Sequence, residues 1–506
     1  MPTNAWIWII GIVVIVLGCC CVVVAVSGLV YLFAQEKAVS PSGLEGIPAA
    51  PGVSINTPSP QIETETPVTQ SNLPTETILA VTSSGIWVVN EKTYEATQIS
   101  YDLLEAPWDI MDGLSPDKKF FAYLTGFGGA SVNPMLVVLD VESQTSILQL
   151  ELTGPIIQPG LDGTHGDPAF EAFGAMQFTD SLAWSPDGTR LAFVAARDGN
   201  STDIYLFDRT DRSVARLTDE AGHATALHWS PDGQLLQYVS VNTFGTGAGF
   251  NMEGLLVYNF QSNQAQLLET VKSNGEDFLV WVDNSQFLIM GMSRECGTAS
   301  NLRLVDATNL DQHVIVGEGF TAAAYDPENQ FGMFSVADNY ANCGNDQPLE
   351  PGLMIFGKGI GVPIVDEIGR KKFEQVIAYG IGFVPQGNLF TVYGDDGLQY
   401  IYYKGQYGYN SLEILPEVKG FMPYPSPTGE YWAWASRGQA GLWITENNSN
   451  PIGLSQLFTG APLWSQDGQT LYYFENNRLF ASSAPQYGRG VLVVEIPGAE
   501  ILGIIK

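Results

Sequence analysis

Histidine, cysteine and basic residues are scarce in this sequence, and each shortage excludes a class of function. Among 506 residues there are 4 histidines and 5 cysteines, and their spacing gives no complete zinc-binding motif of histidines and cysteines. Lysine and arginine total 22 against 54 aspartates and glutamates, which gives a net charge of −32. This balance argues against nucleic acid and anionic lipid as partners, because both are bound through concentrated basic residues.

Several catalytic and cofactor motifs are also missing. The sequence has no Gly-x-Ser-x-Gly nucleophile elbow, no phosphate-binding loop and no dinucleotide fingerprint. The acidic stretch "GDDG" at 394 to 397 lacks the alternating oxygen ligands of a calcium loop, and Asp-Gly is a favoured hairpin turn. We therefore expect no metal, no cofactor and no enzymatic activity.

The first 33 residues contain a long uncharged apolar run, from Trp6 to Phe33. It exceeds the roughly 20 residues that a membrane-spanning helix needs, and it lacks the basic start of a cleavable signal peptide. We predict a retained transmembrane anchor in 1–33. Cys19, in "VLGC", is either a lipidation site or a small residue of the helix. Residues 34–76 are rich in Pro, Ser and Thr, which predicts a linker.

One short phrase recurs in the rest of the chain. It occurs as "AWSPDGTRLAF" at 183 to 193, "HWSPDGQLLQY" at 228 to 238 and "LWSQDGQTLYY" at 463 to 473. Pro presets φ for a turn, Asp tolerates the next position and Gly closes it, so each phrase joins two antiparallel strands. Trp184 and Trp229 are 45 residues apart, a spacing typical of one propeller blade.

Weaker copies extend the repeat over residues 77–506. They begin at Gly113, Val280, Ala324, Gly382 and Pro425. The segments 78–100 and 499–506 fit a blade shared by both ends, which removes exposed sheet edges. We predict an all-β fold, a single large β-propeller of about eight four-stranded blades within a range of seven to nine. A literal count gives nine, but propellers usually have about four to eight blades.

The stretch "AWSPDGTRLAFVAARDGNSTDIYLFDRTDRSVARLT" resembles the TolB-type propeller repeat of bacterial envelope proteins. The resemblance is close over 183–240 and weaker but regular over the rest of 78–506. It implies a periplasmic or surface protein that works by binding. The anchor and the linker are not part of the family pattern.

A propeller has two faces, and in this repeat the connections on one face are shorter than those on the other. The turn face holds the tight turns between first and second strands. The loop face holds the longer connections, where binding residues concentrate on rigid scaffolds. The loop-face binding candidates are Phe127, Asp162, His165, Asp167, Phe170, Phe173, Phe244, Phe250 and Tyr340. The alternative is that the aromatic side chains fold back onto the rim. His223 and His228 flank a first strand, and we assign them to packing or blade surface.

Cys296 and Cys343 are the cysteines outside the predicted anchor. Both fall in second-to-third-strand loops of consecutive blades, which predicts a disulfide, with two free thiols as the alternative. A disulfide requires an oxidising compartment. Together with the family resemblance, it predicts a single-pass membrane protein whose head is extracytoplasmic.

Three functions fit these observations. The leading hypothesis is a membrane-tethered, non-enzymatic binding or scaffold module that presents its loop face to an envelope protein or glycan. The first alternative is a propeller lyase or hydrolase with loop carboxylates in the central funnel, drawn from Asp162, Asp167, Glu171, Asp338 and Asp346. The second is a purely structural envelope component. Two carboxylates that converge on the axis with raised pKa values would favour the enzyme.

Overall fold

The computed structural model describes most of the chain after residue 76. Every described residue belongs to one compact unit, Leu73–Lys506. The described residues are 77–82, 85–90, 93–100, 113–127, 134–154, 168–177, 180–245, 249–268, 276–291, 301–318, 320–336, 352–357, 371–374, 378–384, 388–394, 398–405, 408–412, 421–435, 441–446, 451–496 and 501–505. The predicted anchor and linker lie outside them. In the part that is described, no helix is long and apolar enough to cross a membrane.

Antiparallel sheets dominate these residues, which form eight four-stranded sheets and one three-stranded sheet. We number the sheets as blades 1 to 9 in chain order. Blade 1 contains β1 to β3 and the last strand, blade 2 contains β4 to β6, blade 3 contains β7 to β10, and blade 4 contains β11 to β14. Their bounds are β1 (Thr77–Thr82), β2 (Gly85–Asn90), β3 (Ala96–Ser100), β4 (Phe120–Thr125), β5 (Met135–Asp140), β6 (Thr145–Glu151), β7 (Leu182–Trp184), β8 (Arg190–Ala195), β9 (Asp203–Asp208), β10 (Val214–Arg216), β11 (His223–Trp229), β12 (Leu235–Gly245), β13 (Gly249–Asn259) and β14 (Gln264–Leu268).

Blades 5 to 9 take four consecutive strands each, from β15 to β34. Their bounds are β15 (Glu276–Trp281), β16 (Gln286–Gly291), β17 (Asn301–Asp306), β18 (His313–Glu318), β19 (Phe320–Asp326), β20 (Phe331–Val336), β21 (Gly352–Gly357), β22 (Lys371–Glu374), β23 (Ala378–Val384), β24 (Leu389–Gly394), β25 (Gln399–Gly405), β26 (Gly408–Leu412), β27 (Met422–Pro425), β28 (Tyr431–Ala435), β29 (Leu442–Glu446), β30 (Ile452–Ser455), β31 (Phe458–Trp464), β32 (Thr470–Glu475), β33 (Arg478–Ser483), β34 (Val491–Glu495) and the closing strand β35 (Ile501–Ile505). One helix, α1 (Pro168–Met176), lies between blades 2 and 3.

The blades close into a ring. β35 pairs antiparallel with β1, with Leu79 opposite Ile505, so both ends of the repeat region complete blade 1 as predicted. Each neighbouring pair of blades shares an apolar cluster, including blades 9 and 1, where Tyr472 of β32 packs with Ile78 of β1. First strands of consecutive blades contact one another, as β7 does with β11 and β19 with β23, so they line the inside of the ring.

The repeated turn has a side-chain network that explains its sequence. In blade 3, the Ser185 hydroxyl donates to Asp187 at 2.6 Å and accepts the Arg190 amide at 3.0 Å, while Asp187 accepts the Thr189 amide at 3.0 Å. Gly188 adopts φ of 68°, which an L side chain rarely takes. Ser, Asp and Gly therefore each favour the reversal of the chain between first and second strands.

The repeated tryptophan joins neighbouring blades. It is the last residue of a first strand, and its indole Nε1 donates to a backbone carbonyl at the matching position of the preceding blade. The four pairs are Trp184 to Gly113 at 3.0 Å, Trp229 to Ala183 at 2.9 Å, Trp281 to His228 at 3.1 Å and Trp464 to Tyr424 at 2.8 Å. The repeat thus encodes the contact between blades as well as the turn within each.

The preferred number of eight blades is not supported, because nine sheets are present among the described residues. Seven of the eight turns found in the sequence join first and second strands of different four-stranded sheets. In three-stranded blade 2, Leu114 pairs with Phe121 as an isolated bridge, at the place of a first strand. The weak repeats at Ala324 and Gly382 lack the tryptophan, but their alternating apolar residues still form complete blades.

Candidate active site in the axial pocket

A cavity of about 580 Å³ lies where the first strands of blades 2 to 6 end. Its wall contains the turn prolines and the tryptophans that precede them. These are Pro116, Pro186, Pro231, Pro327, Trp184, Trp229 and Trp281. We call this cavity the axial pocket. It follows directly from the repeat, which brings the same residue types from successive blades to the inside of the ring at the turn face.

Two polar side chains stand in this largely apolar wall, Asp180 from blade 3 and His228 from blade 4. His228 Nε2 lies 3.6 Å from Asp180 Oδ2. The imidazole ring stacks on Phe278 of blade 5, with 4.2 Å between ring centroids and 14° between planes. A titratable pair in an apolar concave site is the usual arrangement of a catalytic or binding centre.

The backbone beside the pair is unusual. Ala226 has φ of 55° at an irregularity in β11 between Thr225 and His228, and Asp180 has φ of 58° just before β7. The Leu227 amide donates to the Asp180 carbonyl at 2.8 Å, which joins the two inner strands directly. Bulges re-aim side chains, and left-handed non-glycine residues occur where surrounding contacts hold them. This local geometry places both side chains in the same pocket.

Desolvation lowers the pKa of His228 to about 4, although a quarter of its side chain (25%) touches solvent. We attribute this to enclosure by the pocket wall, which leaves solvent contact on one side only. His228 is therefore neutral at pH 7, and its contact with Asp180 is not an ion pair there. Asp277, just before Phe278 on β15, has a pKa raised by desolvation, which the hydrogen bond from the Phe278 amide opposes.

We expect stability to depend on His228 at acid pH. Its folded pKa lies below the unfolded value of 6.5, so the folded state binds fewer protons between these values and stability falls as pH drops from about 6.5 to about 4. The full loss is about 3 kcal/mol at 1.36 kcal/mol per pKa unit. Urea unfolding of the full chain and of His228→Gln, at pH 7 and pH 4, measures it. The other titrating groups are shared and cancel in the difference. Equal pH dependence in both chains would contradict the assignment.

A second histidine–carboxylate pair lies at the other end of β11 and is buried. His223 Nδ1 accepts the Thr202 amide at 3.1 Å, which leaves the proton on Nε2, 3.6 Å from Glu171 of α1. Burial lowers the pKa of His223, and the Glu171 carboxylate opposes this shift. The Thr225 hydroxyl also donates to Ala175 of α1 at 3.1 Å. These contacts fasten α1 to blade 4, and Glu171 does not line the axial pocket.

Carboxylates also connect blades 3 and 4. The Tyr238 hydroxyl donates to Glu220 at 2.5 Å, and Arg216 pairs with Asp203 at 2.7 Å. Desolvation raises the pKa of both carboxyls, and their hydrogen bonds to Tyr238 and Arg216 lower it. Each carboxyl already has a protein partner: the Asp203–Arg216 pair joins strands within blade 3, and the Glu220–Tyr238 bond joins the segment after β10 to β12 of blade 4.

The predicted loop-face residues are only partly described. Phe127 is buried and packs edge-to-face on half-buried Phe173, with ring centroids 6.3 Å apart. Phe170 lies in α1, and Phe244 and Phe250 are backbone partners in β12 and β13. The remaining predicted residues lie outside the described residues, namely Asp162, His165, Asp167, Tyr340 and the predicted disulfide cysteines Cys296 and Cys343. The carboxylates Asp338 and Asp346 lie outside them as well. The loop-face site and the disulfide therefore stay predictions.

Sequence reasoning missed the axial pair. From the sequence, His228 is expected in packing or at the blade surface, and no pattern singles out Asp180. One signal was available, because His228 stands immediately before a repeated tryptophan, where the other two close copies have Ala183 and Leu463. A polar residue at an inner-strand position of the repeat is the feature that marks the pocket.

Comparison with solved structures agrees with this architecture. The crystal structure of a eukaryotic initiation factor superposes with a TM-score of 0.53 at 13% identity, covering 86% of this chain and 98% of that one. TolB from Acinetobacter baumannii gives a TM-score of 0.27 at 16% identity, over 56% of this chain and 60% of that one. The fold is a β-propeller. At these identities the likeness extends to the fold alone, and the TolB-type repeat stays a resemblance.

Sequence comparison gives a shorter match. No protein-family model matches the chain. A stretch of 51 residues is 37% identical to "Uncharacterized peptidase YuxL" of Bacillus subtilis (strain 168), which is 10% of this chain and 8% of that protein. The chain thus matches less than a tenth of the curated relative's length. Among the solved structures, dipeptidyl peptidase 4 of Porphyromonas gingivalis has a TM-score of 0.45 at 10% identity, covering 80% of this chain and 64% of that one.

These matches correct one expectation from the sequence. The prediction that the protein is not an enzyme is contradicted, because the relative found by sequence is named as a peptidase. The prediction relied on missing linear motifs. A pair of side chains assembled from two blades, as Asp180 and His228 are, leaves no linear motif to find.

Proposed function

We propose that the protein is a hydrolase that binds peptides in the axial pocket and cleaves them there. The observation that carries the proposal is the Asp180–His228 pair, 3.6 Å apart in the wall of a cavity of about 580 Å³. The peptide as substrate class is supported by the relative named as a peptidase. This proposal follows the alternative of a propeller hydrolase with carboxylates in the central funnel. Its carboxylate, Asp180, is not among those that the sequence analysis names.

The pair can divide the chemistry of amide hydrolysis between its members. Asp180 takes a proton from a water molecule, whose oxygen then adds to the peptide carbonyl carbon. Neutral His228 donates its Nε2 proton in a hydrogen bond to the carbonyl oxygen, where negative charge develops. Asp180 next passes the proton to the leaving nitrogen, the C–N bond breaks, and a carboxylic acid and an amine are released.

The low pKa of His228 suits this division of roles. A protonated imidazole would form an ion pair with Asp180. The paired carboxylate would then be a weaker acceptor for the proton of water. Because the pKa is about 4, the imidazole is neutral at pH 7 and its Nε2 proton is available for a hydrogen bond. The apolar side chains of the wall strengthen both interactions, because they lower the polarity around the reacting groups.

We further propose where the enzyme works. The uncharged run in 1–33 would anchor it, the linker 34–76 would hold the propeller away from the membrane, and the propeller would face the extracytoplasmic side. Envelope proteins and their fragments would then be its substrates. The Lys and Arg count of 22 against 54 acidic residues supports a substrate other than nucleic acid.

Photo-crosslinking tests where peptides bind. A library of peptides carrying a photoreactive phenylalanine analogue is irradiated with the full-length protein in detergent, and the crosslinked residues are identified by mass spectrometry. We expect crosslinks to concentrate in segments that line the pocket, around Trp184, Trp229 and Phe278. Crosslinks confined to outer strands or to the loop face would overturn the proposed location.

A further inference from the structure

Gln237 is an amide buried in an apolar interface. It lies on β12, is 0% exposed, and neither its Oε1 nor its Nε2 has a hydrogen-bond partner in the described part of the chain. It stands opposite Val257 and two residues from Leu235, both of which belong to the apolar cluster between blades 4 and 5. Burial of an unpaired amide is unfavourable by about 1 to 3 kcal/mol, so a polar group at this place calls for a partner.

The residue directly opposite Gln237 on β11 is His228. Directly opposed residues of an antiparallel pair project from the same face of the sheet, with Cβ atoms about 5 Å apart. The stacking of His228 on Phe278 of blade 5 agrees with this, because the side chains of Leu235 and Val257 also pack toward blade 5. The Gln237 amide and the His228 ring are therefore neighbours in one interface.

The orientation of the imidazole leaves one nitrogen for Gln237. Nε2 faces Asp180 at 3.6 Å, and a carboxylate at that side favours the tautomer with its proton on Nε2. Nδ1 then carries a lone pair and needs a donor, which an amide NH₂ group can supply. No other hydrogen bond among the described residues holds the Gln237 amide, so none has to break for its NH₂ group to turn toward the ring.

We propose that Gln237 is a positioning residue, which donates a hydrogen bond to His228 Nδ1 and keeps the proton on Nε2, facing Asp180 and the axial pocket. The inference deepens the proposed function and rests on it for its catalytic meaning. The structural part of the inference concerns the tautomer of His228, which can be measured whether or not the protein cleaves peptides. Gln237 acts through the histidine and does not touch the substrate.

The test is ¹⁵N NMR of the full-length protein labelled at histidine, with wild type compared to Gln237→Leu. The chain has 4 histidines, so the His228 signals can be assigned with His228→Gln. We expect wild-type His228 to be protonated on Nε2 alone. Gln237→Leu should give a mixture of tautomers and a His228 pKa higher by about half to one unit, because a hydrogen bond that stabilises the neutral ring is lost.

Gln399→Leu is the matched control. Gln399 of blade 7 is a second buried amide whose Oε1 and Nε2 have no partner in the described part of the chain, but its opposite residue is Tyr393. The Gln399→Leu substitution should leave the tautomer and the pKa of His228 unchanged. If Gln237→Leu folds poorly, Gln237→Met provides the same removal of the amide with a flexible side chain. An unchanged tautomer and pKa in a folded Gln237 variant would overturn the proposal.

Activity separates the two proposals. If wild type cleaves no peptide but Gln237→Leu shifts the tautomer, the positioning role stands and the proposed function fails. If peptides are cleaved and the tautomer does not respond to Gln237, the proposed function stands and this inference fails. When both hold, Gln237→Leu should lower kcat by about 3- to 10-fold with little change in KM, since binding in the pocket does not involve the amide.

Discussion

Trp229→Ala should lower the free energy of unfolding by about 3 to 5 kcal/mol, the range for removing a large buried aromatic side chain. The indole is 8% exposed and donates to Ala183 of the preceding blade at 2.9 Å. It also stacks on Phe260, with 5.1 Å between centroids, and lies under the guanidinium of Arg190 at 4.7 Å. The substitution removes these contacts together and leaves the Ala183 carbonyl without its donor.

Trp229→Phe and Trp432→Ala separate the effect of the lost hydrogen bond between blades from the effect of the lost apolar packing. The phenylalanine keeps most of the apolar packing and loses the N–H group, so about 1 to 2 kcal/mol should be lost. Trp432 is a half-buried tryptophan whose indole donates to Gly429 of its own turn, so its removal breaks no hydrogen bond between blades. Its loss should be about 1 kcal/mol. Urea unfolding of the full-length protein measures all three. Equal effects of Trp229→Ala and Trp432→Ala would show that the bond between blades is unimportant.

Asp180→Asn should lower kcat/KM for peptide hydrolysis by about 10²- to 10⁴-fold, the usual contribution of a general base. The amide has the size and shape of the carboxylate but cannot take a proton from water. Asparagine also tolerates the left-handed backbone at this position, where φ is 58°, so the fold should be retained. KM should change little, because the main binding surface is the apolar wall of the pocket.

The control for Asp180→Asn is Asp211→Asn. Asp211 is exposed in the turn between β9 and β10, where it accepts the Ser213 amide at 2.9 Å, and it should leave kcat/KM unchanged. Wild-type kcat/KM should also fall as pH drops below about 4, because protonated His228 then pairs with Asp180. A folded Asp180→Asn protein with wild-type kcat/KM would remove Asp180 from the mechanism.

The sequence predicted the features that recur in the blades, and it missed the side-chain pair that two blades form at one place. The Ser-Pro-Asp-Gly turn and the tryptophan act within a few residues or at the same place in the next blade, so their pattern predicts the propeller and both ends of its ring. A literal count of the repeats gives nine, the number of sheets among the described residues, whereas the usual size of propellers favours eight.

The axial pair could not be predicted in the same way. It depends on the irregularity of β11 near Ala226 and on a loop of blade 3 that turns Asp180 toward a neighbouring strand. Neither feature has a signature in the spacing of residues. Gln237 is similar, since an isolated glutamine in an apolar strand acquires its meaning only from the register that sets it opposite His228.

Digestion of a peptide library by wild type and by two variants at Leu279 tests the central claim most directly. Leu279 lines the axial pocket, so Leu279→Trp adds volume into the cavity, while Leu279→Met keeps the volume and is the matched control. New peptide termini are counted by mass spectrometry after incubation with each full-length protein. We predict cleavage by wild type and by Leu279→Met, and at least a tenfold loss in a folded Leu279→Trp protein. No cleavage by wild type, or equal cleavage by Leu279→Trp, would contradict a peptide hydrolase that works in the axial pocket.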